Sequence, residues 1–260
     1  PQLYNQHYNK NYIEIQDFGK NTIYKIFQKK SSNKFYYFKK IIHTLIQIQS
    51  IKDKKIKNFK KKNYIIPEYD KKILIQEANL FCNWYVKKNL KKKRRIEFNR
   101  KFKTIIKNLS SSLKLKNNTF VHRDFHISNL MLVKKEKIGV IDSQDALIGN
   151  QAYDLASLID DVRFKTSEQF KNRIFKFYIN KQKKLNKNKF KNDFELLSIL
   201  RNLKIIGIFT RLAARDKKKF YLKFIPYAWN LIDNRINKNE IFTELKELLN
   251  LNFKGKLNGN

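Results

Sequence analysis

Apolar residues recur at helical spacing along most of this chain, and short alternating or continuous apolar runs interrupt that pattern in two regions. The helical spacing predicts helices over 20–28, 34–51, 71–85, 96–115, 153–162, 167–184, 193–214, 220–234 and 238–251. Short strands are predicted at 12–17, 119–122, 130–133 and 138–141. We therefore expect an α+β fold that is mostly helical and contains a small layer of β-hairpins.

Short polar segments separate these elements. Ser31, Ser32 or Asn33 can cap the second helix, and Asp70 caps the third. Residues 52–63 are rich in lysine, and we expect an exposed loop there. The turn at residues 17–19 is the one place where we set a boundary, which divides the chain into 1–18 and 19–260.

Composition limits the class of protein. The chain has 260 residues, of which 42% are hydrophobic and 14% aromatic, so it can bury a core and is not a disordered chain. Its single cysteine, Cys82, excludes an internal disulfide and fits a reducing compartment. We expect Cys82 to be a small core residue. No apolar run reaches the roughly 18 residues of a membrane span, and we expect a cytoplasmic protein.

The formal net charge is +36 at pH 7. Such a charge can indicate a nucleic-acid or membrane partner. Here, however, the excess is mostly lysine, it is scattered over every predicted helix, and it accompanies much Ile, Asn and Phe, as in proteins encoded by AT-rich genes. We interpret it as a solvated basic surface and do not expect a nucleic-acid partner. The charge should still repel a polycationic substrate and attract an anionic one.

One segment between two predicted strands, residues 120–131, holds most of the candidate chemistry. Asp124 follows a His-Arg pair, Asn129 lies five residues further on, and Asp142 follows the apolar run at 138–141. Phosphoryl transfer needs a carboxylate that orients the acceptor hydroxyl and takes its proton, and oxygen ligands that hold magnesium against the phosphates. We assign Asp124 as the base and Asn129 and Asp142 as the ligands of Mg²⁺. Taken singly, each also fits a turn or a cap; the combined spacing favours a kinase.

This segment resembles that of the aminoglycoside phosphotransferase family, which shares the protein-kinase-like fold. The continuation at residues 139–158 is more similar to one branch, the bacterial anomeric sugar kinases that act on N-acetylmuramate and N-acetylglucosamine in peptidoglycan recycling. Residues 15–19, 67–85 and 207–216 are also similar to that branch. The resemblance implies a kinase-like C-terminal lobe at 19–260, preceded at 1–18 by a remnant of the N-terminal β-lobe.

The resemblance also implies cofactors and residue roles. ATP and Mg²⁺ would be the cofactors, with the adenine held by Gln16, Asp17 and Phe18 of the hinge and an apolar floor that includes Met131 and Ile141. Support of the catalytic loop would come from His122, Arg123 and Asp154. Candidate sugar contacts are Glu77, His126, Gln144, Asp145 and Arg215. For the aliphatic residues core packing is an equal interpretation. Asp154 also fits an acid at a helix N-terminus, and Gln144 and Asp145 fit residues that only stabilise their loop.

The chain departs from the branch in two respects. Ser143 stands where the branch usually has an aromatic residue, and no lysine can be assigned to the strand lysine that pairs with the α- and β-phosphates. We expect that lysine and the phosphate-covering loop to precede Pro1.

The expected function is ATP-dependent phosphorylation of a sugar hydroxyl, with an amino sugar such as N-acetylmuramate or N-acetylglucosamine as substrate. A choline, homoserine or aminoglycoside kinase of the same family is the first alternative, and an inactive basic binding protein is the second. A protein kinase is disfavoured because no A-P-E-like segment follows Asp142. The sequence leaves the oligomeric state open.

Overall fold

The computed structural model describes residues 1–29, 33–57 and 60–257. Strands in this part of the chain are β1 (Leu3–His7), β2 (Tyr12–Ile15), β3 (Lys55–Lys57), β4 (Asn63–Ile65), β5 (Asn117–Val121), β6 (Leu130–Val133), β7 (Lys137–Val140) and β8 (Leu147–Asn150). The α-helices are α1 (Ile23–Phe27), α2 (Lys34–Gln49), α3 (Lys71–Leu80), α4 (Lys87–Asn89), α5 (Lys92–Ser111), α6 (Ala152–Ile159), α7 (Glu168–Lys181), α8 (Lys187–Ala214), α9 (Ile225–Ile236) and α10 (Thr243–Asn252). The mostly helical α+β architecture is confirmed.

The elements form two compact units, each made of two stretches of chain. The first unit contains Pro1–Glu68 and Lys116–Leu185, and the second contains Tyr69–Leu115 and Asn186–Asn260. This division differs from the boundary expected after residue 18, which stays a prediction.

The described residues of the first unit form four two-stranded antiparallel sheets, which pair β1 with β2, β3 with β4, β5 with β8 and β6 with β7. In the β6–β7 hairpin, Leu130 pairs with Val140 and Val133 pairs with Lys137. An antiparallel hairpin in this register brings the residues just before β6 next to those just after β7. The β6–β7 hairpin therefore places the residues before β6 next to those after β7, and both groups carry the candidate chemistry.

Half of these strands match the sequence prediction. Strands β2, β5, β6 and β7 are confirmed with small shifts of their ends, whereas β1, β3, β4 and β8 were not expected. The prediction of an exposed loop at 52–63 is confirmed in part: the described residues of this stretch are all exposed, but Lys55 pairs with Ile65 and Lys57 with Asn63 in a small hairpin that was not expected. Residues 58 and 59 of that stretch lie outside the described residues.

Aromatic contacts join the helices of the first unit. Phe27 of α1 stacks on Phe38 of α2, with ring centroids 5.4 Å apart, and also contacts Phe164 at 5.1 Å. Phe38 in turn meets Phe170 of α7 edge-on at 5.3 Å. The cap of α2 is Asn33, whose Oδ1 accepts from the backbone N–H of Tyr36 at 3.1 Å; the other suggested caps, Ser31 and Ser32, lie outside the described residues.

The second unit is helical and is centred on an aromatic cluster. The ring of Phe81 lies 5.8 Å from Phe102, 5.7 Å from Trp229 and 5.7 Å from Phe253. Phe81 opens a π-helical segment, Phe81–Val86, that continues α3. The predicted core position of Cys82 is confirmed, since its side chain is buried and burial raises the pKa of its thiol to about 12.

Gly207 of α8 explains how two helices of this unit come so close. A Cβ at Gly207 would lie 2.3 Å from the carbonyl carbon of Leu80 and 2.6 Å from the nitrogen of Phe81. Only a residue without a side chain allows this approach of backbone to backbone.

Among the described residues, no helix is both long enough and apolar enough to span a membrane.

Candidate active site

The β6–β7 hairpin brings Asn129 and Asp142 together. Asn129 ends a short 3₁₀ turn before β6, and Asp142 follows β7 after one residue. The backbone N–H of Ile141 donates to the Asn129 carbonyl at 3.1 Å, which extends the hairpin pairing by one step. As a result, Asn129 Nδ2 lies 3.2 Å from Asp142 Oδ2 and donates a hydrogen bond to it.

Asp124 joins this pair through the same amide. Asn129 Nδ2 also donates to the backbone carbonyl of Asp124 at 3.1 Å, and the N–H of His126 donates to that carbonyl at 3.0 Å. The amide nitrogen of Asn129 therefore donates to both Asp124 and Asp142, which leaves its Oδ1 as the atom suited to a metal. Asp124 and Asn129 are half-buried, and Asp142 is exposed.

These groups fit a magnesium site of the kinase type. Mg²⁺ prefers hard oxygen donors, keeps several waters and binds through one or two protein side chains together with substrate phosphates. The carboxylate of Asp142 and Oδ1 of Asn129 supply two such donors. Among the described residues, no group of three or more His, Cys, Asp and Glu side chains could hold a metal ion, so a magnesium ion here would need phosphate and water to complete its ligands.

Two residues of the site have a left-handed backbone. Arg123 has φ 72° and Asp142 has φ 69°, a conformation that is uncommon for residues other than glycine. Each such residue costs about 1–3 kcal/mol and persists where surrounding contacts fix it. For Asp142 one such contact is Gln144, whose Nε2 donates to Asp142 Oδ1 at 2.7 Å.

Asp154 fixes the other left-handed residue. Its carboxylate accepts from the backbone N–H of His122 at 2.7 Å and from that of Arg123 at 3.0 Å. Asp154 lies in the first turn of α6 and is fully buried. A buried carboxylate with two backbone donors is strongly held, so α6 anchors the start of the loop that carries Asp124.

His122 connects the loop to the far side of the hairpin. Its Nε2 donates to the carbonyl of Ile141 at 3.1 Å, while Nδ1 has no hydrogen-bond partner among the described residues. Burial lowers the pKa of His122, and the hydrogen bond to Ile141 and the negative charges of Asp124 and Asp142 oppose the shift. The hydrogen bond of His122 links the start of the loop to the residue that follows β7.

The remaining loop residues surround this cluster. Arg123 donates from a guanidinium N–H to the backbone carbonyl of Asp145 at 3.2 Å. Gln144 and Asp145 are exposed beside Asp142, whereas His126 is only 6% exposed. A role for any of the three in binding a sugar stays a prediction.

Gln16, Asp17 and Phe18 line an open groove together with Leu132 and Val133 of β6. The carboxylate of Asp17 accepts from the N–H of Gly19 at 2.6 Å, which closes the turn after β2. Met131 and Ile141, the residues predicted to form the apolar floor for the adenine, are not among the residues that line this groove. Met131 is 5% exposed and forms a β-bridge with Thr22, and Ile141 is half-buried just after β7.

Sequence reasoning missed Gly139 at this groove. A Cβ at Gly139 would lie 2.5 Å from Cε2 of Phe18, so the ring of Phe18 packs directly against the β7 backbone. A glycine inside a strand is the signal that could have revealed it, because such a residue often marks a close approach.

Two predicted sugar contacts belong to the second unit. Glu77 Oε1 pairs with Lys204 Nζ at 2.8 Å, and its other oxygen accepts from the hydroxyl of Tyr69. Arg215 pairs with Asp216, with Nε 2.7 Å from Oδ1. Their roles in sugar recognition also stay predictions.

Comparison with known proteins identifies the family. The family model described as "Phosphotransferase enzyme family" matches residues 37–185, which is more than half of the chain and includes Asp124, the β6–β7 hairpin and Asp154. The chain belongs to this family. Asp124, Asn129 and Asp142 lie within the matched residues and within the first unit.

Similar proteins with assigned names are sugar kinases. The chain is 34% identical over 174 residues to an N-acetylmuramate/N-acetylglucosamine kinase of Neisseria meningitidis serogroup B, covering 65% of this chain and 52% of that protein. It is 31% identical over 191 residues to a kinase of the same name from Pseudomonas aeruginosa, covering 71% of this chain and 56% of the relative. The chain spans about half the length of the curated relatives it matches.

A solved structure confirms the fold. The crystal structure of aminoglycoside phosphotransferase APH(2'')-Ib with ADP bound matches with a TM-score of 0.50 at 16% identity, covering 88% of this chain and 72% of that one. At this identity the likeness establishes the kinase-like fold alone.

Proposed function

We propose that this protein is an ATP- and Mg²⁺-dependent kinase that phosphorylates a hydroxyl of an amino sugar such as N-acetylmuramate or N-acetylglucosamine. The observation that carries the proposal is the meeting of Asp124, Asn129 and Asp142, which are linked through the amide nitrogen of Asn129. Family membership supports the phosphotransferase activity, and the names of the relatives support the sugar substrate.

In the proposed reaction, Asp124 orients the acceptor hydroxyl and takes its proton as the oxygen forms its bond to the γ-phosphorus. The bond between that phosphorus and the bridging oxygen of ADP breaks in the same transfer. Asn129 Oδ1 and the Asp142 carboxylate would hold the metal. When bound, Mg²⁺-ATP supplies the phosphoryl group and the positive charge that stabilises the leaving ADP.

The basic charge supports an uncharged or anionic acceptor over a polycationic one. The formal charge of +36 disfavours binding of an aminoglycoside antibiotic, whereas N-acetylmuramate carries a carboxylate.

Phosphate transfer by the full-length protein can be compared for N-acetylmuramate, N-acetylglucosamine, choline and kanamycin. We expect the two amino sugars to be the best acceptors; choline or kanamycin as the best acceptor would contradict the proposal.

Two substitutions separate the assigned roles. Asp142→Asn should weaken Mg²⁺-dependent binding of ATP by at least about tenfold, since it removes a metal ligand. Asp124→Asn should leave ATP binding unchanged and lower turnover by about 10²–10⁴-fold, since it removes the base. Binding is measured by calorimetry with and without Mg²⁺, and turnover by release of ADP in the presence of the sugar.

Asp53→Asn is the matched control, because Asp53 is an exposed carboxylate of the same unit that lies outside the site. It should change neither quantity. Unaltered turnover in both Asp124→Asn and Asp142→Asn would contradict the assignment of the site.

A further inference from the structure

The second unit exposes a short aromatic and basic segment that the proposed kinase site does not use. Residues 217–224, Lys-Lys-Lys-Phe-Tyr-Leu-Lys-Phe, follow α8 and are called here the lysine–phenylalanine turn. Residues Lys219–Phe224 form a 3₁₀ helix that leads into α9. These eight residues include four lysines and three aromatic rings. The contacts of the turn determine which of these side chains face solvent.

The turn is fixed to the end of α8. Lys217 has a left-handed backbone with φ 56°, and the N–H of Lys218 donates to the Leu212 carbonyl of α8 at 3.0 Å. Buried Phe209 of α8 contacts Tyr221 at 5.0 Å and Phe224 at 5.7 Å between ring centroids. Two of the three rings are therefore held against the helix.

Phe220 is the ring that points outward. It is 62% exposed, and the turn presents it between the exposed side chains of Lys219 and Lys223. Lys223 Nζ lies 3.7 Å from the centroid of the Phe220 ring. The inward rings fix the backbone, so the exposure of Phe220 follows from the fold of the turn.

The charge around Phe220 is positive. Lys217, Lys218, Lys219 and Lys223 are exposed, and none of them forms a salt bridge within the described part of the chain. The acid of this region, Asp216, is paired with Arg215 at 2.7 Å. An apolar ring beside exposed lysines that form no salt bridge is suited to a partner that offers an apolar layer beneath negative charges.

We propose that the lysine–phenylalanine turn docks this protein on anionic phospholipid bilayers, with Phe220 inserted at the interface and the four lysines on lipid phosphates. The long, flexible side chains of the four lysines would allow their ammonium groups to stay at the headgroup level when the ring inserts. Each lysine near an anionic surface strengthens binding by a factor of about five. One ring and four charges give reversible binding, because stable anchoring needs stronger apolar insertion.

A nucleic acid is the other source of phosphate, and the ring contacts disfavour it. A base that stacks on Phe220 needs an open ring face, yet Lys223 Nζ covers one face. Tyr221 and Phe224 meet the ring edge-on, at 80° and 83° between planes. Insertion into a bilayer needs the volume of the ring, not a free face, so the geometry favours lipid.

The test is co-sedimentation of the full chain with phosphatidylcholine vesicles, with and without phosphatidylglycerol. The chain should bind only the mixed vesicles, and Phe220→Ala should weaken binding about 5- to 20-fold, from the apolar area that the ring would bury. Lys218→Gln combined with Lys219→Gln should weaken it about 25-fold.

Matched controls come from α5 of the same unit. Ile96 is 61% exposed and also lies near lysines, but Glu97 follows it. Ile96→Ala, and Lys92→Gln combined with Lys93→Gln, should reduce binding by less than a factor of about two if the turn is the docking site. Equal losses in the turn and α5 variants would overturn the proposal, because binding would then depend on the overall positive charge of the protein and not on the turn.

A fluorescence measurement distinguishes lipid from nucleic acid. Phe220→Trp should show a blue shift of its emission with the mixed vesicles, since the ring enters an apolar layer, and no blue shift with double-stranded DNA. Trp229 is buried and Trp84 is present in every variant, so the parent chain provides the background. Binding of DNA with the same dependence on Phe220, or vesicle binding without a blue shift, would overturn the proposal.

Discussion

Asp154→Asn is the substitution that tests most directly how the fold holds the catalytic loop. Asp154 is fully buried, and its two oxygens accept from the backbone N–H groups of His122 and Arg123 at 2.7 and 3.0 Å. Asparagine has the same shape but keeps one acceptor oxygen. Its other terminal group is a donor, which would face a second donor at close range.

The expected loss of stability follows from these two contacts. A hydrogen bond to a charged group contributes about 1.5–3 kcal/mol, and a buried donor without an acceptor costs about 1–3 kcal/mol. We expect Asp154→Asn to lower the free energy of unfolding by about 3 kcal/mol. Because Arg123 would lose a contact that fixes its left-handed backbone, Asp124 should shift, and a misplacement of about 1 Å can reduce turnover about 100-fold.

The chain offers a matched control in the second unit. Asp193 is also fully buried and accepts from two backbone N–H groups, those of Lys114 and Leu115, each at 2.8 Å. Urea unfolding should show a similar loss of stability for Asp154→Asn and Asp193→Asn. Only Asp154→Asn should lower turnover of the full-length protein measured well below the unfolding transition. If both variants keep turnover, Asp154 does not position the catalytic loop.

Three further predictions concern stability and reactivity. Gly207→Ala should lower the stability of the second unit by about 1–3 kcal/mol in urea unfolding. The new Cβ would lie 2.3 Å from the carbonyl carbon of Leu80, and this strain exceeds the gain in helix propensity. Unchanged stability would contradict the close approach of the two helices. Burial lowers the pKa of His122, so the unfolded chain takes up the proton first, and stability should fall as the pH drops below the usual histidine value of about 6.5. His122→Gln should remove part of that pH dependence. Cys82, whose pKa burial raises to about 12, should react with a thiol reagent only after unfolding, and rapid reaction in native buffer would show that the site is open.

The parts of the fold that follow local patterns were predictable from sequence. The apolar runs at 130–133 and 138–141 match β6 and β7 with small shifts, and Asp70 caps α3 by accepting from the N–H of Ile73 at 2.8 Å. The three residues of the assigned catalytic cluster could be named because they flank this hairpin, and hairpin pairing alone brings its two ends together.

The unexpected elements depend on contacts between distant residues. Strand β8 contains Gly149 and Asn150, which are typical turn residues, and it forms a strand because it pairs with β5 across more than twenty residues of chain. The π-helical segment at Phe81–Val86 has no sequence signature of its own. It lies where Gly207, more than a hundred residues later, lets a second helix approach the Leu80 backbone.

The hydrogen bonds that link Asp124, Asn129, Asp142 and Asp154 lie between residues 122 and 154 of the first unit. Nearby parts of the same unit also pack on the hairpin: Phe18 lies against Gly139, Thr22 bridges to Met131, and α1 contacts the 3₁₀ turn before β6. A cluster built from neighbouring segments depends little on long loop closures. Its geometry should therefore survive a moderate loss of stability in the second unit, so that Gly207→Ala retains Mg²⁺-dependent ATP binding under native conditions while Asp142→Asn does not. Parallel loss of binding in both variants would show that the metal site needs the second unit to form.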